Sequence, residues 1–324
     1  MNVLVSGGAG YIGSHTIRLL LEKGFTPIVI DSLENGHKKS LRECVKFYEG
    51  DISDIKLLDK IFKENKIDAV LHFAGYIEAG ESMANPLKFY NNNVSNASLF
   101  LQQAVKHGVK KFIFSSSAGV YGQPDKMPIT EDMETNPTSH YGWTKLYFEH
   151  ILDSADAYGV KNICLRYFNA SGAGYNIGED HYPETHLIPL VLQVANGKRD
   201  CIKIFGTDYD TPDGTCIRDY VHVLDLASAH VAALEALDNG ITGKFNVGSG
   251  KGYSVKEIID TAKKVTGKEI KVVQEKRRAG DPAELVASAE KIKQVMGWEP
   301  KYGLREIIKT AWIWHKTHPN GFAD

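Results

Sequence analysis

The sequence predicts an α/β fold: a doubly wound parallel sheet carrying most of the first half of the chain, with a smaller C-terminal α/β lobe. Three observations carry that expectation. Short runs that are apolar on both faces recur through residues 1–170. Segments of helical periodicity separate them. A glycine turn sits between the first such run and the first such helix.

The strands come first. A parallel strand covered by helices on both sides must be apolar on both faces. NVLVSG (2–7), TPIVID (26–31), DAVLHFAG (68–75), KFIFSSS (111–117) and NICLRYFN (162–169) fit that requirement. Between the first two, Ile12, Leu19 and Leu20 share a helical face and Gly24 supplies a stop. Residues 94–108 behave alike and also end in glycine. Past about residue 170 the rhythm loosens. Gly, Pro, Asp and Tyr crowd 171–184 and 206–216, which read as loops long enough to carry function. Helical patterns return at 224–237, at 254–265, where Ser254 and Glu257 form a capping box, and at 303–316. The expected division is 1–170 and 171–324, with allowance for the chain crossing back between the lobes. No repeat, low-complexity tract or linker interrupts it.

Composition narrows the classes of function. A chain of 324 residues, 43% hydrophobic and 24% charged, can bury a large core without staples. Its 38 basic and 40 acidic residues leave a net charge of −2, so neither a nucleic-acid nor a membrane partner is expected. An anionic ligand must be held by local groups. Cys44, Cys164, Cys201 and Cys216 are scattered without a C-x-x-C, so neither a disulfide framework nor a metal site is expected. The opening MNVLVSGG has no charged leader and long apolar region, and no apolar run approaches a membrane span. The expectation is a reduced, cytoplasmic protein.

GGAGYIG places Gly7, Gly10 and Gly13 at three-residue intervals between a strand and a helix. Glycine there lets the backbone turn sharply, approach a pyrophosphate and pack helix on strand, while the helix N-terminus offers free N–H groups. This is the Rossmann-type dinucleotide turn. Asp31 closes the next strand. A carboxylate there accepts ribose hydroxyls and repels a 2′-phosphate, which favours NAD over NADP. A structural turn with a capping aspartate is the alternative. Asp51, in GDIS, stands at a strand end within reach of an adenine, and the small residues of HFAG (72–75) let a dinucleotide lie across the sheet.

SHYGWTK sets Tyr141 four residues ahead of Lys145, on one face of a helix. In a chain with 15 tyrosines the pair alone means little. Beside a dinucleotide site, and with Ser117 ending a buried strand, it becomes an acid/base set. A phenol titrates near pH ~10, too high for a base at neutral pH. A nearby ammonium and a cationic nicotinamide both favour phenolate. Tyr141 can then take a proton from a sugar hydroxyl while hydride leaves the same carbon, with Ser117 hydrogen-bonded to that hydroxyl.

G-x-x-G-x-x-G, a strand-end serine and Y-x-x-x-K together resemble the extended short-chain dehydrogenase/reductase superfamily, over essentially the whole chain. Within it, HFAG, FSSSAGVYG, LRYFNASGA, DGTCIRDYVHVLDLA and RRAGDPAELVAS are similar to the UDP-glucose 4-epimerase family. The resemblance implies an isomerase that oxidises a UDP-sugar at C4, turns the 4-keto sugar over and reduces it on the other face, with tightly bound NAD. By the same resemblance, dehydratases carry Asp-Glu directly after the catalytic serine or threonine, and decarboxylating relatives carry Glu two residues after it. This chain has Ala118 and Gly119, which transfer no proton.

Carried onto this chain, the family's cofactor groove takes in Tyr11 and Ile12 among the glycines, Ser32, Asn35 and Gly36 beyond Asp31, and Ile52 beside Asp51. It continues through Phe73, Ala74 and Gly75 of HFAG, then Asn92, Ser115 and Phe168, with Tyr141 and Lys145. The UDP-sugar falls to Ser117, Tyr141, Asn169, and His186 and Leu187 of THLIP. KIFG, with Lys203 and Phe205, resembles the segment whose backbone reads uracil. Arg218 and Arg278 are the bidentate donors for the diphosphate, and Asp281 holds the uridine ribose. Leu285 stands where members confined to UDP-glucose and UDP-galactose carry tyrosine, so N-acetylhexosamines have room. Ile77 replaces a lysine that many members place near the cofactor. His181, in GEDHYP, is expected to be a loop residue, and nothing there suggests a metal. The family's habit is a homodimer built through first-lobe helices, including the one bearing Tyr141. A 4-epimerase preferring UDP-N-acetylglucosamine or a UDP-pentose is one rival. A non-enzymatic NAD-sensing regulator is another, but it has no need of Ser117, Tyr141 and Lys145 together.

Overall fold

The structure, a computed structural model, describes residues 1–278 and 280–322. The chain opens with β1 (Asn2–Ser6), α1 (Tyr11–Glu22), β2 (Thr26–Asp31), β3 (Lys46–Glu49), α2 (Ile55–Glu64) and β4 (Ala69–His72). The short helices α3 (Ala79–Ala84) and α4 (Pro86–Tyr90) lead into a π-helical stretch, Asn91–Asn96, and α5 (Ala97–Lys106). Then come β5 (Lys111–Ser117), α6 (His140–Ser154), β6 (Lys161–Tyr167) and β7 (Asn169–Ser171). The second half adds α7 (Leu187–Ala195), β8 (Ile202–Phe205), β9 (Ile217–His222), α8 (Val223–Asp238), β10 (Gly243–Val247), β11 (Gly252–Ser254) and α9 (Val255–Thr266). β12 (Val272–Glu275), β13 (Glu284–Leu285), α10 (Glu290–Met296) and α11 (Leu304–Thr317) complete it.

A seven-stranded parallel sheet runs in the order β10-β6-β5-β4-β1-β2-β3. Its period-2 alternation sorts the core onto two faces. Val3, Val5, Val29, Leu71 and Ile163 pack with Ile17 and Leu20 of α1 and with Leu226 and Leu234 of α8. Leu4, Ile30, Val70 and Phe114 pack with Leu58 of α2, Phe100 of α5 and Phe148 of α6. Each fully buried aliphatic or aromatic side chain contributes about 1.5–3 kcal/mol. A third cluster joins α7, α9 and α11 over β8. Among the described residues no helix is long and apolar enough to cross a membrane.

Two strands of the seven-stranded sheet fall outside the apolar runs named from the sequence. In β3 only Tyr48 is buried, the pattern of an edge strand and not of a doubly covered one. β10 comes from the second half of the chain yet lies parallel to β6, Phe245 opposite Leu165. The strand expected at 68–75 stops at His72, because the Phe73 and Ala74 N–H groups turn back to the Ser6 carbonyl at 2.9 and 3.1 Å. The helix starts obey capping rules: Ser139 accepts from Gly142 N–H at α6, and Ser254 and Glu257 form the expected box at α9.

β1 lies between β4 and β2, so connections leave it in opposite directions and open a crevice at the carboxyl ends of the strands. The smaller strands gather beyond that crevice. β9 pairs with β11, β13 and β7, and β8 pairs with β12.

Candidate active site

The glycine turn fills the crevice from below. Gly7 has φ +71°, a left-handed conformation that favours glycine, and a Cβ there would sit 2.6 Å from the Ala74 nitrogen. A Cβ on Gly13 would lie 2.4 Å from the Gly7 carbonyl oxygen. Gly10 caps α1 without any side-chain hydrogen bond, so the first-turn N–H groups stay open to an anion. Asp31 is buried; it accepts Ala9 N–H and Leu33 N–H, each at 2.9 Å, and burial raises its pKa. The carboxylate therefore braces the glycine turn as well as ending β2. Bracing the turn leaves Asp31 able to accept further hydrogen bonds, because each oxygen keeps a second lone pair.

These residues line a cavity of about 370 Å³. Every residue that the sequence assigns to the cofactor groove lies on its wall, from Gly7 to Phe168. Ser117, Tyr141, Asn169 and His186 of the substrate set are there too. Ile77, in the place of the family lysine, also faces it. Leu187, Lys203, Phe205, Arg218, Arg278, Asp281 and Leu285 are not on that wall. Arg218 pairs with Asp281 at 2.8 Å, and Arg278 lies 3.9 Å over the Phe205 ring. Lys203 pairs with Glu275 at 2.9 Å, and Leu187 packs into the third apolar cluster. Leu285 stands opposite Arg218 in the β13–β9 register and packs near Tyr121 and Phe168. Arg218 and Asp281, assigned separately to diphosphate and ribose, thus hold each other.

The acid/base set forms where β5 meets α6. The Ser117 hydroxyl accepts Gly119 N–H at 3.0 Å and is the hydrogen-bond partner of the Tyr141 phenol. Tyr141 N–H donates to Ser82 Oγ at 3.0 Å, fixing the first turn of α6. Lys145 is buried and donates from Nζ to the Ser115 carbonyl at 2.8 Å. Its Nζ lies 5.7 Å from the centre of the Tyr141 ring. One expectation needs correcting. Burial raises the Tyr141 pKa, with Glu78 adding to the rise, and only the Ser117 hydrogen bond opposes it. The Lys145 ammonium donates its hydrogen bond to the Ser115 carbonyl and not to the phenol. Lys145 is itself pulled to about 8 by burial, with Glu149 opposing.

Sequence reasoning missed the support beneath this set. Glu149, one turn beyond Lys145, is fully buried and pairs bidentately with Arg166 of β6 at 3.0 and 2.7 Å. Ser116 donates to the same carboxylate at 2.5 Å, and Arg166 reaches Tyr121 Oη at 2.8 Å. The signal was an arginine directly after the apolar run Ile163–Leu165 in a strand buried on both faces. Asn93, in the π-helical stretch, ties Tyr76 to Thr144 of α6. His181 lies in a loop, as expected, and with Glu179, Glu184 and His186 forms a compact cluster at the cavity edge that the sequence did not announce.

A strand–glycine turn–helix, a strand-end serine and a half-buried tyrosine one turn from a buried lysine share one cavity. The profile of the NAD dependent epimerase/dehydratase family matches residues 3–248. The chain belongs to that family. Its relatives within the family are alike over their full length. A Halalkalibacterium halodurans protein named UDP-glucose 4-epimerase is 52% identical over 100% of this chain and 98% of its own. A crystal structure of a UDP-glucose 4-epimerase superposes with TM-score 0.97 at 50% identity, covering 100% of both chains. The Bifidobacterium longum UDP-glucose 4-epimerase in complex with NAD+ and UDP superposes with TM-score 0.95 at 40% identity, covering 99% of this chain and 100% of that one.

Proposed function

We propose that this chain is an NAD-dependent UDP-glucose 4-epimerase, interconverting UDP-galactose and UDP-glucose through a 4-keto sugar. The observation that carries it is the Ser117–Tyr141–Lys145 set sharing one cavity with the glycine turn. The cavity fits the dinucleotide. Its floor has no room for a Cβ at Gly7 or Gly13, a helix N-terminus opens onto it, and a buried carboxylate ends the second strand. When bound there, NAD supplies a hydride acceptor that becomes the donor for the return step.

This chain's residues do the rest. Tyr141 takes the proton of the sugar C4 hydroxyl and gives one back on the return. Ser117 hydrogen-bonds that hydroxyl and relays the proton. Lys145 spans from α6 to the end of β5, fixing the distance between Tyr141 and Ser117. Since burial raises the phenol, the base form must be drawn out by the positive charge of the oxidised cofactor, so binding and chemistry are coupled. Ala118 and Gly119 offer no group to expel a sugar hydroxyl, which supports oxidation and re-reduction without loss of water. On the cavity wall Asn169 donates to the diphosphate and His186 is a further substrate contact, while from the second lobe Arg218 and Arg278 hold the diphosphate and Asp281 the uridine ribose. Tight NAD follows from its regeneration in every cycle.

We further propose a homodimer in a reducing cytoplasm. Met83, Leu87 and Tyr147 are exposed on α3, α4 and α6, where Tyr147 continues a row with Trp143 and Tyr90. The four cysteines are free thiols. Within this reading the enzyme serves galactose metabolism.

The sugar pair is tested directly. Purified protein, given no dinucleotide, is expected to convert UDP-galactose to UDP-glucose, and Leu285 leaves room for the N-acetyl pair. Leu285→Tyr is expected to suppress turnover of UDP-N-acetylgalactosamine selectively. Equal loss on both pairs contradicts the pocket assignment, and absence of UDP-glucose from the wild type removes the epimerase reading.

A further inference from the structure

The loop between β7 and α7 carries the pattern Glu179-x-His181-x-x-Glu184-x-His186. Its donor atoms converge. Glu179 Oε1 lies 3.3 Å from His181 Nδ1 and 2.9 Å from His186 Nδ1, and Glu184 Oε1 lies 2.9 Å from the same His186 nitrogen. All four ligand atoms lie within 4.8 Å of one another. Both carboxylates are nearly inaccessible to solvent, with side chains 6% and 7% exposed. His181 Nδ1 is buried and makes no hydrogen bond, since its approach to Glu179 lacks the required geometry.

Two close, buried carboxylates need a compensating cation. Protons on the two imidazoles supply the charge but leave His181 with a buried, unsatisfied N–H, and they set two imidazolium rings 5.4 Å apart. A lone pair on His181 Nδ1 directed at a shared centre resolves both problems. Donors about 2.0–2.1 Å from a tetrahedral centre are separated by about 3.3–3.4 Å along each edge. The shortest donor separations here, 2.9 to 3.3 Å, are close to that edge. Mixed imidazole and carboxylate donors, without thiolate, suit zinc among the divalent metals.

We propose that Glu179, His181, Glu184 and His186 bind a structural divalent cation of the zinc class, clipping the β7–α7 loop against the cofactor cavity. All four donors come from one loop, and with both imidazoles neutral the site carries no net charge. His186 is the residue that caps α7, and it binds through Nδ1, which leaves Nε2–H as the donor for a ligand in the cavity. That last role rests on the epimerase reading; the metal site itself does not.

The test uses tag-free holoprotein treated with chelator, then titrated with Zn2+ and, separately, with Co2+ as a spectroscopic probe. Stoichiometric zinc and an intense visible Co2+ spectrum of a tetrahedral site are expected. Both should be lost in His181→Gln and in Glu184→Gln, and retained in His107→Gln, whose imidazole pairs with Asp59 elsewhere. Bound dinucleotide and circular dichroism identify any variant that fails to fold, and the two substitutions are independent of each other. Wild type that binds Zn2+ no better than His181→Gln, or a weak octahedral Co2+ spectrum, overturns the proposal. UDP binding is measured on the same samples, so loss of the metal site and loss of the epimerase reading are told apart.

Discussion

Tyr141→Phe is expected to leave UDP binding and bound NAD intact and to lower turnover by about 10²- to 10⁴-fold, the usual cost of losing a general base. The phenol oxygen is removed while the ring and its packing remain. The backbone of residue 141 is still held by Ser82, and Lys145 still reaches Ser115. The pH dependence supplies a second check. Burial raises the Tyr141 pKa, so below it the group is a neutral phenol and cannot accept a proton. Wild-type turnover should therefore climb as pH rises through the phenol's pKa in the holoenzyme. The variant should lack that ascending limb. A fall of less than about tenfold, or an unchanged pH profile, assigns the proton to another group.

Glu149→Ala is expected to destabilise the fold by about 3–5 kcal/mol, read as a lower denaturant midpoint at unchanged slope. The substitution strands the Arg166 guanidinium, which is almost wholly buried, beside the Tyr121 hydroxyl it also contacts. It also frees Ser116 from its partner. Replacing both members, as Glu149→Met with Arg166→Leu, should recover part of the loss, since no unpaired charge then remains. Recovery stays incomplete because Tyr121 and Asn246 lose an anchored neighbour. A single substitution costing under about 1 kcal/mol contradicts the assignment of this pair as the support of the β5–α6 junction.

How far the sequence announced this site depends on how local each signal was. The glycine turn, the strand-end Ser117 and the Tyr141–Lys145 spacing lie within single elements, and their geometry follows from helix and turn periodicity. β3 and β10 were harder for physical reasons. β3 is an edge strand with one buried face, and β10 finds β6 only after the chain has crossed a long stretch of the second half. The sequence set Lys145 on the Tyr141 face of its helix but could not show where its ammonium turns; only the fold brings the Ser115 carbonyl to its Nζ. Glu149 and Arg166 read separately as an ordinary helical acid and a strand arginine, 17 positions apart. Their pairing is a tertiary fact. The cluster of Glu179, His181, Glu184 and His186 was hidden because acids and histidines in a loop have no periodicity to announce convergence.

The central claim is that hydrogen leaves sugar C4, is held within the protein and returns to the same carbon. UDP-galactose labelled with deuterium at C4, turned over in ordinary water, tests it most directly. The account expects UDP-glucose that keeps its deuterium at C4, with no solvent hydrogen at that position. Deuterium washed out into water, or product labelled at another carbon, contradicts it.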